Sequence, residues 1–226
     1  MNQYSFQDLE NNLYNSRSKE YRFDKLYTNF NYKKYERNIK CAGGNQPLYV
    51  KNIIEEVKPR LIIELGAYLG FSTGLISNYC KKLNLDFRII SVDTWTVNWH
   101  YGDVLKFKYG YPTIYYQYIA NLHHLGIEKK VYPIPLPTSV AIQKPIKPAL
   151  EKTNAQADII YVDAGHDYFS VFADCTNYFP LLRKGGVMFG DDFKGSPGVE
   201  KGVTEFCRIN NLTLSYDTVN WRINKL

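Results

Sequence analysis

Short, continuous apolar runs recur along the chain, separated by longer segments in which apolar residues repeat at helical spacing. A run of four to eight apolar residues is typical of a buried strand, and a repeat of three and four residues is typical of a helix packed on a sheet. Runs of the first kind occupy residues 60–65, 87–92, 130–136, 159–162 and 186–189. The alternation predicts an α/β fold with a mostly parallel sheet.

Two of the predicted strands lead directly into acidic residues. Asp163 follows the run 159–162, and Asp191 and Asp192 follow the run 186–189. The segment between them has apolar residues at helical spacing (Tyr168, Val171, Phe172, Cys175 and Phe179), and Arg183–Gly186 reads as the helix stop. A right-handed crossover would make the two strands parallel neighbours, with Asp163 and Asp191 at one sheet edge.

Carboxylates so close together raise each other's pKa unless a cation lies between them. The acidic strand ends therefore predict a metal ion or a positively charged ligand. Because every candidate ligand is an oxygen, Mg²⁺ fits best. In the alternative interpretation, Asp191 and Asp192 only cap the following turn and Lys194 neutralises them.

A second candidate site follows the first strand. The run 60–65 contains Glu64 and breaks at Gly66; the backbone must then turn to Gly70, where Ser72 is placed to cap a helix. The third glycine of a dinucleotide-binding motif is missing, which favours a ligand without phosphates. Asp93 ends the next strand, where it could accept hydrogen bonds from ribose hydroxyls or serve as a cap or turn residue.

The remaining pattern suggests a main domain with additions. Residues 1–46 are polar and rich in Tyr, and predict an arm or lid that packs on the domain surface or stacks on bases or sugars. Residues 47–226 form the main domain, beginning with a helix from Pro47 to Pro59 whose apolar face is Leu48, Ile53, Ile54 and Val57. Further predictions are a polar connector (147–153), a last helix (Val199, Val203, Phe206, Cys207) and a terminal hairpin (212–216, 220–223).

Residues 94–120 are an aromatic insertion beyond the carboxyl ends of the strands, on the side from which a substrate would approach. Aromatic walls suit sugar rings and flat ligands, which makes Trp95, Trp99 and Tyr101 candidate substrate contacts. Core packing is the alternative, since Tyr115, Tyr118, Ile119 and Leu122 also have helical spacing.

Charge and cysteine usage narrow the function classes. The net charge is +6, from 28 basic and 22 acidic residues, but the basic residues are scattered among acids, which favours a solvated surface over a nucleic-acid patch. Cys41, Cys80, Cys175 and Cys207 form no CxxC pair, so reduced thiols are expected. There is neither a signal-like N-terminus nor an apolar run of about 18 residues, so we expect a cytoplasmic protein outside the membrane.

Taken in order, Glu64-x-Gly66-x-x-x-Gly70, Asp93, Asp163 and Asp191-Asp192 resemble the class I S-adenosylmethionine-dependent methyltransferases. The resemblance is greatest to the metal-dependent O-methyltransferases of the macrocin and mycinamicin sugar type and of the catechol type. It implies a Rossmann-like sheet of seven strands, mostly parallel with a C-terminal antiparallel hairpin and with helices on both faces. It also implies S-adenosyl-L-methionine and Mg²⁺, or another divalent cation, as cofactors.

The resemblance assigns roles to particular residues. Asp163, Asp191 and Asp192 would bind the metal, and His166, with Asp163, would be catalytic and contact the substrate as general base. Gly165 stands where relatives carry an acid, and His166 where catechol enzymes carry Lys. The residues implied for the cofactor are Glu64, Gly66, Ala67, Tyr68, Gly70, Ser72, Asp93, Thr94, Thr138, Ser139 and Asp163.

These features together predict an O-methyltransferase that acts on a hydroxyl of a small-molecule or glycan acceptor. A catechol-like phenol is the nearest alternative acceptor. A non-catalytic module that binds RNA or protein through the N-terminal arm is a different class, against which the complete acidic set argues. Homo-oligomerisation is left open.

Overall fold

The computed structural model describes residues 4–15, 30–39, 46–96, 107–108 and 111–226. Trp99, Tyr101 and Cys41 lie outside these ranges. The division into an arm (1–46), a main domain (47–226) and an aromatic insertion (94–120) therefore stays a prediction.

A seven-stranded sheet forms the centre of the described chain. Its order is β5-β2-β1-β6-β7-β9-β8; neighbours from β5 to β7 pair in parallel, whereas β9 pairs antiparallel with β7 and with β8. This topology confirms the predicted mostly parallel sheet with a C-terminal antiparallel hairpin. The strands are β1 (Leu61–Leu65), β2 (Arg88–Asp93), the separate pair β3 (Phe107–Lys108) and β4 (Tyr111–Pro112), β5 (Val131–Pro135), β6 (Ala157–Val162), β7 (Leu182–Gly190), β8 (Leu214–Tyr216) and β9 (Trp221–Asn224).

Eight α-helices accompany the strands in the described ranges. They are α1 (Phe6–Asn15), α2 (Gln46–Val57), α3 (Phe71–Lys82), α4 (Thr113–Leu125), α5 (Thr138–Ala141), α6 (Lys147–Thr153), α7 (Tyr168–Tyr178) and α8 (Pro197–Ile209). Shorter helical turns lie at 32–34, 128–130, 142–146 and 179–181.

The core is divided between the two faces of the sheet. Successive strand residues point to opposite faces, so Ile63 belongs to one apolar cluster and Ile62 to the other. The helices α2, α3 and α4 pack on the Ile62 side, and α1 with α5 to α8 packs on the Ile63 side. This double covering explains why every residue of β1 is buried.

Three sequence predictions were wrong in detail. The polar connector 147–153 is the helix α6, since Ala149 and Leu150 provide a small buried face. The predicted helix stop Arg183–Gly186 lies inside β7, because the strand extends back to Leu182, which pairs with Ala157 of β6. In α2, Leu48 is 63% exposed and Val50 is buried instead.

The described part of the predicted N-terminal arm contains α1, which had no clear periodicity in the sequence. Its Phe6, Leu9 and Leu13 are buried, and Arg60 lies 4.5 Å from the Phe6 ring centroid. α1 therefore packs on the domain surface, which is one of the two uses predicted for the arm.

Two further observations concern the cysteines and the membrane. Cys80, Cys175 and Cys207 are buried and free, in agreement with the expected reduced thiols. No helix in the described ranges has the length and apolar character needed to cross a membrane.

Candidate active site

Strand register brings the two predicted sites to the same edge of the sheet. Leu65 pairs with Val92 on one side and with Val162 on the other, and Val162 pairs with Gly190. The residues that follow these partners are the glycine turn, Asp93, Asp163 and Asp191. A cofactor crevice and an acidic cluster are thus neighbours, which is the arrangement expected at the carboxyl edge of an open α/β sheet.

The glycine turn, residues 66–70, has a strained backbone. Gly66 and Gly70 have φ values of 87°, and Tyr68, at 45°, also lies in the left-handed region. The left-handed conformation costs an L-residue such as Tyr68 roughly 1–2 kcal/mol. Contacts with neighbouring residues must therefore stabilise it. At Gly66 a side chain is excluded for a second reason, because a Cβ would collide with the carbonyl oxygen of Asp163.

Hydrogen bonds from outside the turn hold this backbone. The Asp93 carboxylate accepts from the N–H groups of Ala67 (2.9 Å) and Tyr68 (2.8 Å), while Trp95 Nε1 donates to the Tyr68 carbonyl (2.8 Å). Asn121 Nδ2 donates to the carbonyl of Leu69 (2.8 Å). Asp93 therefore acts as the turn residue that the sequence left as an alternative, and its contact with ribose stays a prediction.

Glu64 lies near the end of β1 and is completely buried. Its carboxylate accepts hydrogen bonds from Ser72 Oγ (2.6 Å), Thr73 Oγ1 (2.6 Å) and Ser91 Oγ (2.7 Å). Burial raises the pKa of Glu64 to about 7, against the opposing effect of the three hydroxyls. The predicted cap role of Ser72 was wrong: Gly70 is the N-cap of α3, and the Ser72 hydroxyl is directed to Glu64.

The acidic cluster consists of Asp163, Asp191, Asp192 and His166. Asp163 Oδ1 lies 3.4 Å from His166 Nε2, and His166 Nδ1 lies 3.5 Å from Asp192 Oδ2. Asp163, His166 and Asp192 each offer a ligand atom, and these atoms lie within 4.8 Å of one another. Asp192 holds this place with a left-handed backbone (φ 55°), a conformation that Asp tolerates better than most residues.

Electrostatics at the cluster indicate excess negative charge. The pKa of Asp191 is raised well above its usual value by burial, by the charges of Asp163 and Asp192, and by a side-chain hydrogen bond with Asp163. The hydrogen bond to Asp163 is the main cause that raises the pKa of His166, and it outweighs burial, which acts in the opposite direction. Protons therefore bind tightly where carboxylates converge.

Lys194 does not fill the gap between the acids. Its ammonium pairs with Glu200 and lies 5.2 Å from the centroid of the Tyr216 ring. The neutralising role considered for Lys194 is therefore not observed. Among the described residues, the ligand atoms close enough to share one ion belong to Asp163, His166 and Asp192, and the predicted metal ligand Asp191 is not part of this group. Carboxylates with an imidazole suit a divalent cation such as Mg²⁺ or Mn²⁺, so the residues present fit the metal that the resemblance implies.

The loop that carries His166 is held by α8. Ser196 Oγ donates to the His166 carbonyl (3.1 Å), and a Cβ at Gly198 would collide with the same carbonyl oxygen. Gly165 contributes no ligand, and a Cβ there would lie 2.7 Å from Ser170 Cβ. The adjoining pocket is lined by Val162, Asp163, Gly165, His166, Val171, Asp191, Val199 and Trp221.

Other predicted site residues have structural partners. Trp95 is 2% exposed and packs against Tyr115 and Tyr118, which favours the core interpretation of these aromatics. The Thr138 side chain hydrogen-bonds to the buried Asp174. Ser139 is exposed, and the hydroxyl of Thr94 lies 2.8 Å from that of Thr96. The contacts of these four residues with substrate or cofactor stay predictions.

Sequence reasoning missed two residues of this site. The Tyr161 hydroxyl donates to Asp163 Oδ2 (3.0 Å), and strand alternation was a signal, since residues two apart share a face. Asn121, which holds the glycine turn, interrupts an apolar helical face and could have been noticed as a buried polar residue.

Comparison with known proteins agrees with this geometry. A family model described as "Methyltransferase domain" matches residues 63–193, which is more than half of the chain, so the chain belongs to this methyltransferase family. The uncharacterized protein y4gI of Sinorhizobium fredii is 27% identical over 142 residues. That match covers 62% of this chain but only 14% of the relative.

Solved O-methyltransferases share the fold. NovP has a TM-score of 0.60 at 15% identity, with 80% of this chain and 79% of NovP covered. An O-methyltransferase from Bacillus cereus in complex with SAH has a TM-score of 0.55 at 14% identity, and the match covers 98% of this chain and 92% of that protein. TomG from Streptomyces achromogenes is involved in tomaymycin synthesis and was solved with SAM. It has a TM-score of 0.55 at 15% identity, and the match covers 82% of each chain. The resemblance to class I methyltransferases is thereby confirmed for family and fold.

Proposed function

We propose that the chain transfers the methyl group of S-adenosyl-L-methionine to a hydroxyl oxygen of a sugar or glycan, with Mg²⁺ or another divalent cation as metal cofactor. The observation that carries this proposal is the convergence of Asp163, Asp192 and His166 beside the glycine turn, with the buried Asp191 hydrogen-bonded to Asp163. The cofactor assignment is supported by the family and by the SAH and SAM in the titles of two structural neighbours.

The cofactor would lie across the glycine turn. Gly66 has no side chain that would obstruct it, and Asp93 holds the turn through the N–H groups of Ala67 and Tyr68. Glu64 ties the end of β1 to β2 and to the start of α3, the helix that follows the turn. Because Asp93 uses its oxygens for backbone N–H groups without exhausting their lone pairs, it can still accept from a ribose hydroxyl. Thr94, Thr138 and Ser139 are the proposed outer contacts.

Methyl transfer is an in-line displacement. The acceptor oxygen forms a bond to the methyl carbon as the carbon–sulfur bond breaks, the electron pair of that bond goes to sulfur, and the hydroxyl proton must leave. His166 would take this proton, and the flanking Asp163 and Asp192 would orient the imidazole and stabilise its charged form. A cation held by Asp163, Asp191 and Asp192 would lower the pKa of the acceptor hydroxyl.

The acceptor class rests on two features. A metal site with several carboxylates suits neighbouring hydroxyls, and the catechol-type Lys is replaced by His166. The predicted aromatic contacts Trp99 and Tyr101 lie outside the described residues and remain part of the proposal for the substrate side.

A methyl-transfer screen against nucleotide sugars, free glycans and catechols tests the assignment. We expect methylation of a sugar hydroxyl that stops with EDTA and with His166→Ala. The matched control Asp86→Asn changes an exposed carboxylate away from the acidic cluster and should keep full activity, whereas Asp192→Asn should lose it. Preferred methylation of catechols would reassign the acceptor, and full activity in EDTA would remove the metal. A chain without affinity for SAM would favour the binding module.

A further inference from the structure

Asn121 of α4 is a buried polar residue that joins two distant parts of the chain. Its side chain is fully buried, and its helical neighbours Tyr118 and Leu122 belong to the apolar core. A polar amide is unusual in such surroundings. Nδ2 donates to the carbonyl of Leu69 (2.8 Å) and to the carbonyl of Asn38 (2.7 Å). Leu69 lies in the glycine turn, whereas Asn38 belongs to the N-terminal segment.

The other end of the same amide is also engaged. Oδ1 accepts from the Asn38 N–H (3.0 Å) and from Gln117 Nε2 (3.1 Å). A side-chain amide has two donor hydrogens and two acceptor lone pairs, so all four are used. No other residue type of this size supplies both kinds of group in one plane, and any replacement would leave a buried backbone carbonyl without its donor.

Residues 30–39, which we term the strap, pack along α4 and hydrogen-bond to it. His124 Nε2 lies 2.7 Å from the Tyr35 carbonyl, and Gln117 Nε2 donates to the Glu36 carbonyl (2.8 Å). The Tyr32 ring stacks on His123 with centroids 4.7 Å apart. Among these contacts between α4 and the strap, only Asn121 is also hydrogen-bonded to the glycine turn in the described residues.

The glycine turn needs such support because its backbone is strained. Tyr68 and Gly70, on either side of Leu69, both have positive φ. Asp93 and Trp95 hold the first half of the turn from β2 and its following loop, and Asn121 holds the second half from α4. A shift of the strap would therefore be transmitted through one amide to the backbone against which the cofactor is expected to bind.

We propose that Asn121 is a positioning residue for cofactor binding, which couples the order of the strap to the conformation of the glycine turn. The inference rests on the proposed function only in that the turn binds S-adenosylmethionine. Because coupling between two sites is reciprocal, a cofactor that stabilises the turn must also stabilise the strap.

The test measures SAH affinity by calorimetry and hydrogen exchange of the strap with and without SAH. In the wild-type chain, SAH should slow exchange in residues 30–39. Asn121→Ala should raise the Kd for SAH roughly tenfold and abolish this protection of the strap. The matched control is Asn210→Ala, which removes an asparagine amide that donates to the Phe206 carbonyl (2.8 Å) at the end of α8, away from the strap and the glycine turn. It should keep the protection of the strap, and its Kd for SAH should stay within about twofold of wild type.

A second variant covers the case in which Asn121→Ala does not fold. Asn38→Pro removes the N–H from which Asn121 Oδ1 accepts and keeps the carbonyl to which Nδ2 donates, at a position whose side chain is exposed. The proline also fixes φ at this position. It should weaken SAH binding by a smaller factor and reduce the protection of the strap. The coupling alone would be overturned if the Kd of Asn121→Ala were unchanged, or if the control lost as much affinity as that variant. Where Asn121→Ala does not fold, an unchanged Kd of Asn38→Pro would overturn it in the same way. Failure of the wild-type chain to bind SAH would overturn the cofactor assignment and the coupling with it.

Discussion

At the scale of single residues, buried carboxylates are compensated in two different ways. Glu64 is surrounded by three hydroxyl donors of the chain itself. Asp191 lies among other carboxylates, and its pKa is raised by burial and by their charge. The first arrangement is complete within the described chain and ties β1 to β2 and α3, whereas the second calls for a cation from outside.

Glu64 makes stability depend on pH. Its pKa is about 7 in the folded chain against a usual 4.5, so between these values the folded state holds a proton that the unfolded state has lost. Stability is therefore fully present below pH 4.5 and falls as the pH rises through 7, by a total on the order of 3 kcal/mol. Thermal unfolding of Glu64→Gln between pH 5 and 8 should show a flatter dependence than wild type. Glu55→Gln, on an exposed helix surface, should keep the wild-type slope; an equal slope in Glu64→Gln would contradict the assignment.

Tyr161 should support the metal site through Asp163. Its buried hydroxyl donates to Asp163 Oδ2, and loss of such an orienting partner typically weakens a metal site about tenfold or more. We expect Tyr161→Phe to raise the Kd for Mn²⁺ by about that factor in calorimetry. Tyr132→Phe is the matched control. It removes a buried hydroxyl that donates to the Phe6 carbonyl (3.4 Å) and also hydrogen-bonds with Arg88, and it should bind Mn²⁺ as wild type does. Unchanged affinity in Tyr161→Phe would exclude the orienting role.

At the scale of secondary-structure elements, the parallel strands and their crossover helices could be predicted because long apolar runs and helical repeats need no tertiary information. The missed elements have weak patterns. α6 buries only Ala149 and Leu150 among Lys, Glu and Thr, and the first half of β7 is Leu-Arg-Lys-Gly, which becomes strand through its pairing with β6.

The acids of the site were predictable as strand ends, whereas their partners were not. The bond from Asn121 to Leu69 joins residues 52 positions apart, and no local pattern encodes such a contact. Likewise, the capping role expected of Ser72 was wrong because a buried Glu64, close only after folding, competes for the hydroxyl.

The junction of β1 with the glycine turn should be intolerant of a side chain. Gly66 has positive φ, and a Cβ would also strike the carbonyl of Asp163 on the neighbouring strand end. Gly66→Ala should therefore lower the free energy of unfolding by several kcal/mol and abolish SAH binding. Gly126→Ala is the matched control: its φ is also positive (61°), but nothing lies within 4 Å of the added carbon. It should cost only about 1 kcal/mol; similar losses in both variants would contradict the steric account.

At the scale of the whole molecule, the sheet carries a cofactor turn and an acidic cluster on one edge. Placing like charges together lowers stability, and this cost is retained where function requires it. In EDTA, Asp191→Asn should therefore raise the Tm by a few degrees, since the amide avoids the cost of either ionising or protonating a buried carboxyl beside Asp163 and Asp192. Wild type should gain stability on addition of Mg²⁺, and the variant should gain much less. A lower Tm of Asp191→Asn in EDTA would show that the carboxyl has a purely structural role.

The most direct test of the central claim is a calorimetric titration of the SAH-bound chain with Mg²⁺, in wild type and in Asp163→Asn. The account predicts one Mg²⁺ per wild-type chain, with binding lost in the variant while SAH is still bound. Absence of Mg²⁺ binding by the wild-type chain, or equal binding in Asp163→Asn, would contradict it.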